Sequence, residues 1–271
     1  MNQKTYKMIA MDLDDTLLND QVQISEATKK AIARATELGV IVTIATGRMF
    51  ASARKIAKQL ELNVPIITYQ GSLVRNIFDE KVFYERFVPL DVAQYIYAYA
   101  EENGLHLQIY YEDTLYVQTD NQKIKDYSTT SNISYNVAED FKALISKPLI
   151  KMLFIDEPEI LDEIAIELKA ALGSSVHITK SKPHYLEFLH PEGTKGHALS
   201  NLAAYYGCEL SQVIAIGDSW NDREMLEIAG LGVAVSNAVD ALKEIADFIT
   251  LSNNEDGVKF VIDKFVFHEI E

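Results

Sequence analysis

Short apolar runs alternate with longer stretches whose apolar residues return every three or four positions, and this alternation organises the first seventy residues. Lys7 to Met11, Val40 to Ala45 and Ile66 to Tyr69 read as strands, whereas Ser25 to Leu38 and Phe50 to Leu60 carry the helical period. Strand, helix, strand, helix, strand predicts a parallel sheet with crossover helices. Ser25, with Thr28 three residues later, gives a partial helix-capping signal, and Gly39 a stop.

The texture changes near Phe83. A helical stretch from Asp91 to Asn103 precedes two close-set strands, Leu105 to Tyr110 and Thr114 to Thr119, and then a polar stretch from Thr129 to Asn136. Leu149 to Ile155 reads as a strand, Glu159 to Ala171 as a helix, and Val176 to Thr179 with Tyr185 to Leu189 as paired strands, which together predict an α+β insert. The first pattern then resumes with helix Lys195 to Tyr206, strand Val213 to Ile216, helix Asp222 to Ala229, strand Gly232 to Val235 and a helix near Ala238 to Ala246. The chain is expected to leave one domain and return to it.

Length and charge narrow the function. With 271 residues and 48% apolar content, one large core or two domains are both open, and two are preferred. A formal charge of -15 argues against general affinity for nucleic acid or an anionic membrane, so an anionic ligand would need locally placed cations. A single cysteine, Cys208, excludes an internal disulfide and a multi-cysteine zinc site, and it fits a reducing compartment. Met1 to Lys7 is polar and lacks the apolar region of a secretory signal, and no run approaches ~20 consecutive apolar residues. The expectation is a cytoplasmic protein with no membrane association and no obligatory protein partner.

Four constellations at predicted strand ends could carry chemistry. In the first, strand Met8 to Met11 runs into Asp12 and Asp14. If the strand continued, they would share a face; if it stops, they crowd its carboxyl edge, where open α/β sheets place their chemistry. Clustered carboxylates there suit a Mg²⁺ site with a nucleophilic aspartate: Asp12 would attack phosphorus, and Asp14 would protonate the leaving alcohol and then deprotonate the attacking water. The plainer alternative is a strand-ending acidic turn in which Asp15 and Thr16 cap the next segment. In the second, Thr46 and Gly47 follow a strand and could donate to a phosphate oxygen, with a helix amino end behind them; Arg48 is read as a phosphate contact or, slightly preferred, an ion-pair partner. The third places Lys195 at a helix start, where its charge opposes the helix dipole unless an anion compensates it. The fourth is Gly217 to Asp222: Asp218 could complete a Mg²⁺ shell, Asn221 could bond phosphate and Asp222 could orient Lys195, or these residues could simply cap a helix. The histidines show no metal-ligand spacing.

In order and spacing, these motifs resemble those of the haloacid dehalogenase superfamily of phosphohydrolases, and most closely the Cof-type sugar-phosphate phosphatases of subfamily IIB with a C2 cap. The resemblance implies an α/β fold, a Rossmann-like parallel-sheet core at 1–84 and 191–271 with an inserted α+β cap at 85–190. It also implies Asp12 as nucleophile and Mg²⁺ ligand, Asp14 as general acid/base and a ligand through its carbonyl, and Asp218 as the remaining ligand. Leu13 (through its amide), Thr46, Gly47, Lys195 and Asn221 would hold the phosphoryl group, with Asp222 in support. The chain departs from the pattern at Gln70-Gly71-Ser72, where such phosphatases usually show Asn-Gly-Ala, and this puts any substrate contact at Gln70 in doubt. His184, Tyr185 and Glu187 could meet a sugar hydroxyl but are read foremost as ordinary strand residues. The expected substrate is a small phosphorylated metabolite, a sugar phosphate above all, with flavin mononucleotide or pyridoxal phosphate also open. Phosphomutase-like transfer and non-catalytic sensing are the alternatives.

Overall fold

A computed structural model describes residues 5–61 and 64–270; of the polar amino-terminal segment, residues 1–4 lie outside them. The core is a five-stranded parallel sheet in the order Phe248–Ile249, Leu231–Ala234, Val213–Gly217, Met8–Met11, Ile41–Ile44. Helices such as Glu26–Glu37 and Lys195–Tyr205 connect and cover it. Burial on both faces explains why these strands are nearly unbroken apolar runs. Met8–Met11 lies in the middle with every residue buried, and its register aligns Met11 with both Ile216 and Ile44. Three neighbouring strands therefore finish at one level, and the loops carrying Asp12, Thr46 and Asp218 leave from the same edge.

The third predicted strand is parallel to this sheet but barely joined to it. Pro65–Thr68 meets the core through the single bridge Ala45–Ile67, reinforced by the Thr43 hydroxyl donating to the Pro65 carbonyl at 2.8 Å, and otherwise pairs antiparallel with Leu73–Asn76, which pairs with Val82–Glu85. Pro65 has no N–H to offer a ladder, and the chain reverses at once through Tyr69, Gln70 and Gly71, whose φ values are 50°, 60° and 112°. Sequence periodicity missed this hairpin because only part of it is buried.

The insert forms a six-stranded sheet in the order His177–Lys182, Tyr185–Leu189, Lys151–Ile155, Leu107–Tyr111, Thr114–Val117, Asn136–Val137, antiparallel except at its last pair. The period-2 alternation of strands divides its faces. Met152, Phe154, Leu186 and Phe188 join a core of the insert's own with Ile96 and Leu161, whereas Tyr110, Leu153 and Ile155 join the apolar cluster of the parallel-sheet core. The polar stretch expected from Thr129 to Asn136 is partly helical: Gln122–Ser131 is a helix capped by the Asn121 side chain, with only Ile124 and Tyr127 buried and so little apolar period to read. Near the carboxyl end, the helix expected around Ala238 to Ala246 contracts to Asp240–Lys243, and a further helix, Gly257–Ile262, packs on Glu26–Glu37. Among the described residues no helix is long and apolar enough to cross a membrane.

Gly71 is the tightest joint between these parts, because a Cβ there would lie 2.1 Å from the Thr194 carbonyl oxygen. That backbone begins the Lys195 helix and cannot yield cheaply. Gly71→Ala is expected to lower stability by about 2 kcal/mol or more through clash and positive φ together, measured as a lower urea midpoint.

Candidate active site

The first strand ends at Met11, so Asp12 and Asp14 crowd its edge instead of sharing a strand face. Asp12 stays extended, its N–H donating to the Ile216 carbonyl at 2.9 Å, while Asp14 (φ -80°, ψ 133°) and Asp15 (φ 58°) turn the chain back. Leu13 is fully buried in this turn, and its carbonyl accepts the Leu18 N–H at 2.8 Å.

Lys195 reaches this edge from the opposite side. The Thr194 hydroxyl caps the helix by accepting the His197 N–H at 3.1 Å, and the fully buried Lys195 ammonium donates to Asp12 Oδ1 and, at 2.5 Å, to Asp222 Oδ1. Burial opposes the ammonium, but the two carboxylates outweigh it and hold its pKa above the ordinary lysine value. The other oxygen of Asp222 accepts the Asp218 and Ser219 N–H groups, each at 3.0 Å. Asp222 is thus both the cap of its own turn and the orienter of Lys195. These were offered as rival readings, and one carboxylate serves both.

Asp218 accepts the Thr16 hydroxyl at 2.9 Å and stands beside Asp12. Burial, then the neighbouring carboxylates Asp12 and Asp222, push its pKa up to about 9. Asp12 is pushed up to about 7 by burial, against the pull of Lys195. One oxygen from each of Asp12, Asp218 and Asp222 lies within 4.8 Å of the others. Asp222 is the most heavily engaged of the three, accepting from Lys195 and two amides, whereas Asp12 and Asp218 each accept one side-chain bond. An all-carboxylate set of this kind suits a hard divalent cation. The Asp14 side chain stands apart from this trio: Arg48 grips it bidentately, Nε to Oδ2 at 2.8 Å and Nη2 to Oδ1 at 2.6 Å. This is the ion-pair role slightly preferred for Arg48, now with a partner that the sequence did not identify.

Asp12, Asp14, Gly47, Asp218 and Asn221 line one cleft. Thr46 is fully buried beside it, its hydroxyl accepting the Arg48 N–H at 3.1 Å. The Asn221 side-chain amide donates to Gln70 Oε1 at 2.8 Å, and its own oxygen has no protein partner. The insert supplies the opposite wall through Tyr127, Lys151, Tyr185 and Glu187. Tyr185 and Glu187, read mainly as ordinary strand residues, face the cleft, whereas His184 is turned to the Asp156 carbonyl on the exterior. Lys151 escaped the sequence reading altogether. Its signal was a charge inside an apolar run, matched by Glu187 in the adjacent strand; the two pair at 3.3 Å, each 2% exposed.

Comparison with known proteins agrees with this architecture. The family model for haloacid dehalogenase-like hydrolases matches residues 9–262. The chain is 33% identical over 264 residues to 5-amino-6-(5-phospho-D-ribitylamino)uracil phosphatase YitU of Bacillus subtilis, covering 95% of this chain and 96% of that protein. It is 31% identical over 233 residues to HMP-PP phosphatase of Cronobacter sakazakii, covering 86% and 85%. The crystal structure of TM0651 from Thermotoga maritima superposes with a TM-score of 0.84 at 36% identity, covering 96% of this chain and 97% of that one. Parallel core, inserted cap, carboxylate-lined cleft and end-to-end likeness to phosphatases lead to one conclusion: the chain belongs to the haloacid dehalogenase-like hydrolases, as a capped, Cof-type phosphatase.

Proposed function

We propose that this protein hydrolyses a small phosphorylated metabolite, a sugar or polyol phosphate above all, through a covalent aspartyl-phosphate (an acyl phosphate) on Asp12 in a Mg²⁺-dependent reaction. The observation that carries this reading is the pair of carboxylates in one cleft with different partners, Asp12 on a buried ammonium and Asp14 on a guanidinium. Asp12 attacks phosphorus and the bond to the leaving oxygen breaks, Asp14 delivering a proton to that oxygen. Water then attacks phosphorus, Asp14 takes its proton, and the bond to Asp12 breaks to regenerate the carboxylate. Asp12, Asp218 and the Asp14 carbonyl would hold Mg²⁺, which when bound supplies positive charge against the repulsion between carboxylate and phosphate. Lys195, Thr46, Asn221 and the amides of Leu13 and Gly47 would hold the phosphoryl oxygens, and Asp222 keeps Lys195 in place.

The cleft is lined by core and cap residues together, and a concave site of this kind suits a small metabolite rather than a macromolecule. Lys151, Ser181, Tyr185 and Glu187 give its cap wall hydrogen-bonding groups of both polarities, fitting a hydroxylated leaving group. The named substrate of the Bacillus subtilis relative also carries its phosphate on a ribityl chain.

Two measurements test the reading. Asp12→Asn is expected to lower kcat on the order of 10³-fold or more, and Asp14→Asn about 10²- to 10⁴-fold, in phosphate release from a panel of sugar, polyol and cofactor phosphates with Mg²⁺. Phosphate release by Asp12→Asn at the wild-type rate would sink the covalent mechanism. The second concerns pH. Without metal, folded Asp12 and Asp218 keep protons up to about pH 7 and about pH 9, whereas the unfolded chain loses them near pH ~3.9. The folded state therefore binds more protons through this window, so the stability of metal-free protein falls as pH rises across it. Mg²⁺ must displace those protons, so its affinity rises over the same range. Urea midpoints in chelator and in Mg²⁺, at pH 6 and pH 9, should show the metal's stabilisation growing with pH.

A further inference from the structure

Three consecutive residues with positive φ, Tyr69, Gln70 and Gly71, form a loop that touches the strand-end motifs and the cap at once. Left-handed backbone is costly for tyrosine and glutamine and persists only where the surroundings enforce it. Here they do. The Tyr69 N–H donates to the Arg48 carbonyl at 3.0 Å, the Gln70 N–H to the Thr46 carbonyl at 3.0 Å, and the Tyr69 hydroxyl to Asp113 of the cap at 2.6 Å. Gly71 backs onto Thr194.

The Gln70 side chain, 1% exposed, spans the interval between core and cap. Its Oε1 accepts from Asn221 at 2.8 Å, and its Nε2 donates to Glu187 Oε2 at 2.9 Å. Glu187 also accepts from Ser181 at 2.5 Å and from Lys151 at 3.3 Å, and the Lys151 ammonium donates to the Gly47 carbonyl at 3.1 Å. Glutamine presents one acceptor and one donor in opposite directions, and a side chain one methylene shorter would not reach both partners. A buried, unbroken relay thus runs from the residue assigned to phosphate to the buried ion pair of the cap.

We propose that Gln70 is a positioning residue that couples phosphate binding at Asn221 to seating of the cap through Glu187 and Lys151. The coupling rests on Asn221 holding phosphate, as proposed above. When Asn221 is fixed by phosphate, Gln70 is fixed with it and holds Glu187, so the cap wall meets the leaving group in one register. A cap free to rock would bind the phosphoryl group but misplace the ester.

The test compares wild type with Gln70→Glu in Mg²⁺, with inorganic phosphate as the probe. Gln70→Glu keeps the acceptor for Asn221 but faces Glu187 with a like charge. Calorimetry should show phosphate affinity about tenfold weaker in Gln70→Glu. Hydrogen exchange should show phosphate protecting Tyr185–Leu189 in wild type but not in Gln70→Glu. Retained protection in Gln70→Glu or no phosphate binding by wild type would each overturn the coupling. If Gln70→Glu does not fold, Gln70→Asn, which is neutral and too short, should lose the same protection, and its retention overturns the proposal equally. Phosphate-induced protection in a wild type that turns over no ester would uphold the coupling while removing the phosphatase reading.

Discussion

A fully buried ammonium holds this site together. Lys195 sits between Asp12 and Asp222, and without it the trio Asp12, Asp218 and Asp222 would lose the ammonium that bonds two of its three carboxylates. Removing one partner of a buried ion pair costs on the order of 3–5 kcal/mol, because the charge left behind is neither solvated nor compensated. One positive charge still does not balance the set. Asp12 and Asp218 remain strained toward protonation, and this residual demand makes the cleft receptive to a divalent cation.

The ammonium can serve there only because the backbone around it is tightly fitted. Lys195 opens a helix whose start abuts Gly71, and the next residue, Gly196, packs against Glu224, where a Cβ would lie 2.8 Å from the Glu224 Cβ. The loop at Tyr69 to Gly71 therefore clamps the helix on one side while its side chains bond Asn221 and the cap on the other. Backbone strain in this loop and the geometry of the site are two aspects of one packing solution.

The cap follows the same economy of faces. Strand alternation sends Met152, Phe154, Leu186 and Phe188 inward and leaves Lys151, Tyr185 and Glu187 toward the catalytic edge. A polar wall of the cleft is thereby produced by strands that also build an apolar core, and neither role has to be compromised for the other.

Much of this was legible in the chain alone. The parallel core follows from strand and helix periods, because strands buried on both faces must be short and apolar, and the motif positions follow because the chemistry sits where those strands stop. Ser25 as a helix cap and Gly39 as a stop are local effects and were readable as such. Tertiary structure alone decided the rest. Arg48 finds Asp14, Gln70 joins Asn221 to Glu187, and Lys151 pairs with Glu187 across 34, 151, 117 and 36 residues of chain. No local period encodes such pairings: three form where distant segments meet within the core or within the cap, and Gln70–Glu187 depends on how the cap docks over the core. Glu187 read from the sequence as an ordinary strand residue, and burial beside Lys151 and Gln70 is what gives it a part in the cleft.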